Sequence, residues 1–375
     1  MIILYSLVSF VAQKIIPYLG FFPYKELLVE YKLPSWISSF ANFDGIHYLL
    51  IAKQNYSQWE QAFFPLYPLF IHIVGFVISN YLIGALFISN VAVIVGLIFF
   101  NKLLRLWKIK TSWPLFILLS FPTAFYFGMV YTESLFFMFF VLSLYFLYKK
   151  NYWAAGLCAG LSSATRLIGI FLIIPFFFHF LPNNKGSFKS FKFPTVNFIL
   201  LLLSPFLGLF SYMIYLWKTT GDPLFFFNSQ PIFGANRSTH LITLPQVYYR
   251  YIKIVLTATH DFQWYLSLFE MSIFSLVCIV LILDLLKVGK QLCAASTNLR
   301  GLQRLGLNIF SFINLVLPTA TGTFSSIPRY ALFSFSFFIF LGELKNTTLK
   351  SIIFVFFVLL QIAILSLFVQ GYFVG

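Results

Sequence analysis

Charged residues are scarce in this chain of 375 residues. Asp, Glu, Lys and Arg make up 9% of the sequence, whereas 60% is apolar and 21% is aromatic. A water-soluble domain carries a charge on roughly a quarter of its residues, so this composition excludes a soluble globular protein. The mean hydropathy of +0.89 predicts an all-α polytopic membrane protein, with one integral membrane domain over residues 1–375.

Acidic residues are rarer than basic ones, with ten against 25, which gives a net charge of +15. The basic residues form small clusters between apolar runs, as cytoplasmic loops do under the positive-inside rule. No soluble basic domain is available to bind nucleic acid, so we predict no nucleic-acid partner. The three cysteines show neither a disulfide framework nor the spacing of metal ligands.

Several functional signatures are missing. The sequence has no phosphate-binding G-x-x-x-x-G-K-[ST] loop and no G-x-G-x-x-G after a strand, which argues against a nucleotide-binding fold. No internal repeat is visible, although many secondary transporters are built from repeats. The sequence therefore identifies no certain cofactor.

Apolar runs close to the ~20 residues that a bilayer requires predict about eleven transmembrane helices. They lie near residues 1–22, 81–101, 113–130, 134–148, 152–165, 167–182, 195–217, 262–284, 304–319, 328–343 and 351–371. Placing the N-terminus and the basic clusters in the cytosol leaves two long outer segments, residues 23–80 and 218–261. Segment 66–79 is then predicted to lie along the outer interface, because a crossing there would move every later basic cluster to the wrong side.

The first outer segment contains the acid that most needs an explanation. Asp44 lies within FANFDGIHYLLIAKQNY, residues 40–56, and an ionisable group near a bilayer is costly enough to be a functional candidate. The residues after it predict a short helix, which Asp44 or Asn42 could cap. The alternative is a catalytic role beside Gly45 and His47, where His47 either contacts the substrate or packs in the loop.

Three further charged residues lie at the outer ends of predicted spans. Glu133 either caps a helix that begins at Ser134 or belongs to a site. Arg166 either forms a structural ion pair, for which Glu133 is a candidate partner, or faces a polar cavity. Arg329 has a similar outer position, and guanidinium groups can bind a phosphate through paired donors.

Arg237, in the second outer segment, joins Arg166 and Arg329 as a guanidinium that could bind a phosphate, and Tyr330, which follows Arg329 in an outer turn, completes this set of substrate-binding candidates. Asp222, in the sequence TGDP, either forms a turn with Pro223 or contacts the substrate directly. We expect these distant acids and guanidiniums to gather around one pocket on the non-cytosolic side.

Such a site suits glycosyl transfer from a polyprenyl-phosphate sugar, whose lipid phosphate is already a leaving group. A carboxylate would deprotonate the acceptor hydroxyl, and arginines would stabilise the departing phosphate. One carboxylate opposite the leaving group would give inversion at the anomeric carbon.

The motifs that carry these residues resemble those of PIG-V-like mannosyltransferases, which act in GPI assembly and have prokaryotic relatives in the GT-C class of glycosyltransferases. The resemblance covers roughly residues 1–343 and is carried by motifs in the family's order. They are FANFDGIHYLLIAKQNY, AFFPLYPLF, FPTAFYFGMVYTESLFF, WAAGLCAGLSSATRLIGIFLIIP, TTGDPLFFFNSQ and PRYALFSF. It implies a GT-C bundle with interfacial helices in the first outer loop, a polyprenyl- or dolichyl-phosphate sugar donor, and Asp44 as the catalytic aspartate.

Two departures from the family pattern bear on this expectation. Phe43 stands where the family often has tryptophan, and Gly45 and Ile46 stand where many GT-C enzymes have a second acid. A metal-binding acid pair is therefore not supported, although a divalent metal stays possible.

The sequence thus predicts a multi-pass membrane hexosyltransferase, with mannose as the first candidate sugar, a lipid-linked or glycan acceptor, and Asp44 as general base. Its membrane would be the plasma membrane in a prokaryote and the endoplasmic reticulum in a eukaryote. The alternative is a glycolipid transporter or flippase that holds the same head group without breaking a bond. Transporters tend to have repeats and charges near the midplane, whereas the acids here concentrate at one face.

Overall fold

In the computed structural model the described residues are 2–19, 25–181, 196–233, 238, 240–294 and 299–374. Within them the chain is helical and has no strand, which confirms the all-α prediction. The α-helices in chain order are α1 (Ile2–Ile15), α2 (Lys25–Val29), α3 (Ser35–Ser38), α4 (Asp44–Gln54), α5 (Leu66–Ile78), α6 (Tyr81–Leu106), α7 (Trp113–Ser120), α8 (Glu133–Tyr148), α9 (Tyr152–Thr165), α10 (Ile173–Phe180), α11 (Val196–Leu203), α12 (Phe206–Thr220), α13 (Phe225–Asn228), α14 (Leu244–Thr257), α15 (Phe262–Ala294), α16 (Leu299–Val316), α17 (Ile327–Ala331), α18 (Phe335–Gly342) and α19 (Thr347–Val369).

Three helices, α6, α15 and α19, are long and apolar enough to cross a membrane. Each leaves large apolar side chains exposed on its outer face, among them Ile94, Ile279 and Phe356. Contiguous exposed apolar surface of this kind requires a lipid or protein partner. In a membrane protein, the lipid of the bilayer covers this surface. The total of about eleven spans stays a prediction.

Several predicted spans are wrong as single helices, because proline and local polar groups interrupt them. A residue that precedes proline is disfavoured in helical conformation, and three breaks fall at such sites. The first helix ends at Ile15 before Pro17, α7 ends at Ser120 before Pro122, and Pro205 separates α11 from α12. A fourth break separates α17 from α18, and the span predicted over residues 167–182 begins as a 3-10 helix before α10.

The first outer segment contains the short helix predicted after Asp44, which is α4, and the apolar helix α5. At 1.5 Å per residue, the 13 residues of α5 extend about 20 Å, less than the ~30 Å hydrocarbon core. Its fully buried Tyr67 places its hydroxyl 2.7 Å from Ser89 Oγ of α6. The second outer segment packs on the first, because the ring of Phe225 stacks on that of Trp59 with centroids 5.5 Å apart.

Ion pairs hold the predicted inner ends of three helices together. Arg304 of α16 donates through Nε and Nη2 to the two carboxylate oxygens of Asp284 on α15, at 3.1 and 2.8 Å. Asn308 donates to the same carboxylate at 2.9 Å. Lys287 pairs with Glu343, which follows α18, at 2.9 Å. Asp284 and Glu343, which end the spans predicted at 262–284 and 328–343, therefore have basic partners, and their contacts bind helices to each other.

The approach of α9 to α12 depends on glycine. A Cβ atom on Gly208 of α12 would overlap the carbonyl oxygen of Gly160 and the amide nitrogen of Ala164, both on α9. Any larger residue would push the two helices apart. The close contact also affects the position of Arg166, which follows the last residue of α9 directly.

Candidate active site

The loop before α4 holds Asp44 in a constrained position. Phe43 has φ of 57°, a conformation that is rare for a bulky side chain and persists only where packing enforces it. Its ring packs against Phe368 and Phe373, with centroids 5.5 and 5.2 Å away. Asn42 donates through Nδ2 to the carbonyl oxygens of Phe368 and Val369 at the end of α19. The last described helix therefore fixes the loop that presents Asp44.

Four charged side chains from distant parts of the sequence form a continuous series of ion pairs. Asp44 Oδ2 accepts from Arg329 Nη1 at 2.8 Å. Arg329 Nε and Nη2 both lie 2.9 Å from Glu133 Oε1. Arg166 Nη1 donates to the same oxygen at 2.7 Å, so the ion-pair alternative for Arg166, with Glu133 as partner, is present in the structure. Two carboxylates and two guanidiniums make the group electrically neutral.

Exposure separates the members of this group. The side chain of Glu133 is 0% exposed, that of Arg329 8% and that of Arg166 12%, whereas that of Asp44 is 29% exposed. Asp44 is thus the member that a ligand can reach most readily. Oε2 of Glu133 is buried and has no hydrogen-bond partner among the described residues.

Aromatic rings enclose both guanidinium groups. The guanidinium of Arg329 lies 4.7 Å from the ring centroid of Tyr131 and 4.9 Å from that of Tyr126. That of Arg166 lies 5.1 Å from the ring of Tyr330. Such cation–π contacts favour a buried guanidinium and restrict its orientation.

Neither acid caps its helix through a side-chain hydrogen bond, so the capping alternatives are wrong in that form. Both acids nevertheless lie in the first turn of their helices, where the helix dipole favours a carboxylate. α4 begins at Asp44 itself and its start has no side-chain cap, while the Asn42 amide binds α19. α8 begins at Glu133 rather than at Ser134, and the carboxylate binds two arginines. A buried carboxylate pairs with a guanidinium in preference to backbone N–H groups because the charged bond is stronger.

His47 lies one turn beyond Asp44 on α4 and contacts a different carboxylate. Its Nδ1 is 3.1 Å from Glu60 Oε1, and its ring stacks on Phe63 with centroids 5.1 Å apart. Glu60 is buried and also accepts from the amide of Ser57 at 2.9 Å. These contacts support packing of His47 in the loop, and its contact with a substrate stays a prediction.

The remaining substrate-binding candidates fall in different places. Tyr330 lies beside Arg166, as described above. Asp222 accepts from the amide of Leu224 at 2.8 Å and from Asn228 Nδ2 at 2.7 Å, so it forms the predicted turn and stabilises α13. Arg237 lies outside the described residues. Direct substrate contacts of these residues stay predictions.

A buried acid that the sequence analysis did not single out supports the segment before Arg329. Glu270 of α15 is 3% exposed and accepts from the Tyr251 hydroxyl at 2.8 Å. The Tyr251 oxygen in turn accepts from the amide of Phe324 at 3.0 Å and lies 2.9 Å from Thr323 Oγ1. An isolated acid within the span predicted at 262–284 was the available signal, since such residues are seldom accidental.

Tyr251→Phe is expected to reduce activity through this support. The ring shape stays while three hydrogen bonds disappear, so the loop before Arg329 shifts and the transfer rate falls on the order of tenfold. The matched control is Tyr249→Phe, at a residue two positions earlier that is 66% exposed. The two variants are compared in transfer rate and thermal midpoint. Equal rates for Tyr251→Phe and Tyr249→Phe would exclude a positioning role.

A metal centre would require several ligating side chains close together among the described residues. No group of three or more His, Cys, Asp or Glu side chains comes together there. Asp44 and Glu133 share Arg329 between them, so a cation at that point would compete with a guanidinium that already lies 2.8 and 2.9 Å from their oxygens.

Comparison with known proteins gives one similarity in structure. No known protein family matches the chain, and no curated protein matches it. The chain is similar to the oligosaccharyltransferase of Archaeoglobus fulgidus, whose crystal structure has an acceptor peptide containing the NVT sequon tethered through a disulfide bond. The TM-score is 0.42 at 14% identity, over 100% of this chain and 55% of that one. The chain thus spans about half the length of that protein, and so low a TM-score does not establish a shared fold.

Proposed function

We propose that this protein is a membrane glycosyltransferase of the GT-C type. It moves a hexose, with mannose as first candidate, from a polyprenyl- or dolichyl-phosphate sugar to a lipid-linked or glycan acceptor at the non-cytosolic face. The observation that carries the proposal is the series of ion pairs from Asp44 through Arg329 and Glu133 to Arg166. A buried charged group of this kind, assembled from distant parts of a membrane protein, is costly and is retained where it serves function.

Asp44 acts as the general base in this proposal. Its carboxylate is the most exposed of the four charged groups, and Arg329 fixes one of its oxygens at 2.8 Å. The other oxygen can accept the proton of an acceptor hydroxyl. The second carboxylate, Glu133, is buried, so Asp44 is the single base in this proposal. A single base that acts opposite the leaving group inverts the configuration at the anomeric carbon.

The arginines assist the lipid phosphate of the donor. Arg166 uses Nη1 for Glu133 and Thr132, and a guanidinium has further N–H groups for an anion. Arg329 directs Nε, Nη1 and Nη2 towards carboxylates, so its main task is to orient Asp44 and its contact with the phosphate is secondary. Positive charge fixed before the reaction stabilises the phosphate as its bond to the sugar breaks.

The test is transfer in vitro. Purified protein in lipid nanodiscs is incubated with radiolabelled polyprenyl-phosphate mannose, glucose or arabinose and with a membrane lipid extract. We expect a labelled glycolipid or glycan from one donor, with the anomeric configuration inverted. A folded protein that yields no product from any donor, yet moves a fluorescent glycolipid across the bilayer, would show transport in place of transfer.

A further inference from the structure

Arg329 lies in a very short helix, so its main chain depends on neighbouring segments for support. The helix, α17, has five residues and ends at Ala331, and α18 begins only at Phe335. The first four N–H groups and the last four C=O groups of an α-helix have no partner within it, so few main-chain groups of α17 are satisfied internally. In a membrane protein such groups need partners from adjacent helices. The residues that provide these partners determine the position of Arg329.

Two buried side chains donate to the carbonyl oxygens on either side of Arg329. Thr123 Oγ1 lies 2.6 Å from the carbonyl oxygen of Pro328, and Asn314 Nδ2 lies 2.6 Å from that of Tyr330. Thr123 follows the break at the end of α7, whereas Asn314 belongs to α16. Both residues are 0% exposed. The main chain of Arg329 is therefore fixed from two sides, by segments that are distant from it in sequence.

Tyr330 extends the effect of Asn314 to the second arginine of the site. Its main chain accepts from Asn314, and its ring lies 5.1 Å from the guanidinium of Arg166. The residue before it, Arg329, binds both acids of the ion-pair series. A displacement of this one peptide segment would therefore move both guanidinium groups.

The amide of Asn314 has a cost that packing alone does not explain. Its Oδ1 is buried and has no hydrogen-bond partner among the described residues, so its desolvation is not offset by a bond there. Leucine has a similar size and would avoid this penalty. A carbonyl oxygen can only accept a hydrogen bond, so the donor Nδ2 is the part of Asn314 that Tyr330 requires.

We propose that Thr123 and Asn314 are positioning residues, which fix the guanidinium of Arg329 before the substrates bind. The proposal rests on the proposed function and goes beyond it, because it assigns the geometry of the site to two uncharged residues that hold main-chain carbonyl groups. Arg329 directs three nitrogen atoms towards carboxylate oxygens at 2.8 to 2.9 Å. Stabilisation of charge in a transition state depends on such groups being oriented in advance.

Substitution of Thr123 provides a kinetic test. Thr123→Val has nearly the same shape without the hydroxyl group, whereas Thr123→Ser retains the hydroxyl group and is the matched control. We expect the maximal transfer rate per folded molecule to fall about tenfold in Thr123→Val and to stay within about twofold of the wild type in Thr123→Ser. A purely structural role would lower the yield of folded protein and leave this rate unchanged. Equal rates in the two folded variants overturn the proposal.

Hydrogen exchange provides a second test, which needs no activity and so separates failure of this proposal from failure of the proposed function. Exchange of the amides in residues 326–334 is measured by mass spectrometry on protein in nanodiscs. We expect exchange to be about fivefold faster or more in Thr123→Val and in Asn314→Leu, because the segment opens more often when a carbonyl group loses its partner. Thr123→Ser is expected to exchange as the wild type does.

Asn308→Leu is the matched control for Asn314→Leu. Asn308 lies on the same helix, is also 0% exposed, and donates to Asp284 and to the carbonyl oxygen of Leu281. The same amide is thus lost away from Arg329, and we expect exchange in residues 326–334 to stay near that of the wild type. Unchanged exchange in Thr123→Val or in a folded Asn314→Leu, or an equal increase in Asn308→Leu, overturns the proposal. If Asn314→Leu does not fold, the comparison of Thr123→Val with Thr123→Ser decides the result.

Discussion

Replacing Asp44 with asparagine is expected to lower the transfer rate by 10²- to 10⁴-fold, the usual contribution of a general base. The amide oxygen of asparagine can still accept from Arg329, and Arg329 also contacts Glu133 at 2.9 Å. The guanidinium therefore keeps a carboxylate partner, and we expect the variant to fold. Transfer is measured with saturating donor and acceptor, beside the thermal midpoint.

The matched control is Asp261→Asn. Asp261 lies in the second outer segment and accepts from the amide of Trp264 at 2.9 Å, so the same substitution is made at an acid outside the site. We expect its transfer rate to stay within about twofold of the wild type, because a surface substitution away from special features has little effect. A folded Asp44→Asn variant that transfers as fast as Asp261→Asn would remove Asp44 from the role of base.

Glu133→Gln is expected to destabilise the protein strongly. The carboxylate is 0% exposed and its Oε1 accepts from two arginines, so its loss leaves a net positive charge in a buried place. Removing one partner of a buried ion pair costs about 3–5 kcal/mol. We expect a fall in thermal midpoint on the order of 5 °C, a lower yield of folded protein, and little transfer.

Two comparisons isolate the cause of that effect. In the double variant Glu133→Gln, Arg166→Gln the charges balance again, so part of the lost stability should return, although transfer should not. Glu343→Gln makes the same change at an acid that is 31% exposed and paired with Lys287, where an ion pair contributes about 0–1 kcal/mol. A double variant no more stable than the single one would contradict the electrostatic explanation.

The sequence predicted those features of the fold that depend on composition and on local chain signals. Low charge and long apolar runs were sufficient for the all-helical prediction, and the short helix after Asp44 followed from its own residues. The breaks in the spans were harder, although Pro17, Pro122 and Pro205 were visible. An apolar run looks the same whether it continues through the bilayer or turns within the protein, because hydropathy does not record direction.

The ion pairs were only partly accessible from the sequence. The pairing of Arg166 with Glu133 could be proposed because both lie at the outer ends of spans. The position of Arg329 between Asp44 and Glu133 could not, since 285 residues separate Arg329 from Asp44 and no local pattern relates them. The tyrosines around Arg329 were equally hidden, because aromatic residues are common in a chain with 21 tyrosines and 52 phenylalanines.

The hydrogen bonds between Asn42 and the end of α19 have a consequence for biosynthesis. Asn42 leaves the ribosome more than 300 residues before Phe368 and Val369, whose carbonyl oxygens accept from its amide. Arg329 also arrives late, so Asp44 stays without its partner for most of translation. The proposed catalytic centre can therefore form only after α19 is inserted, and we expect a nascent chain stalled before that point to show no transfer.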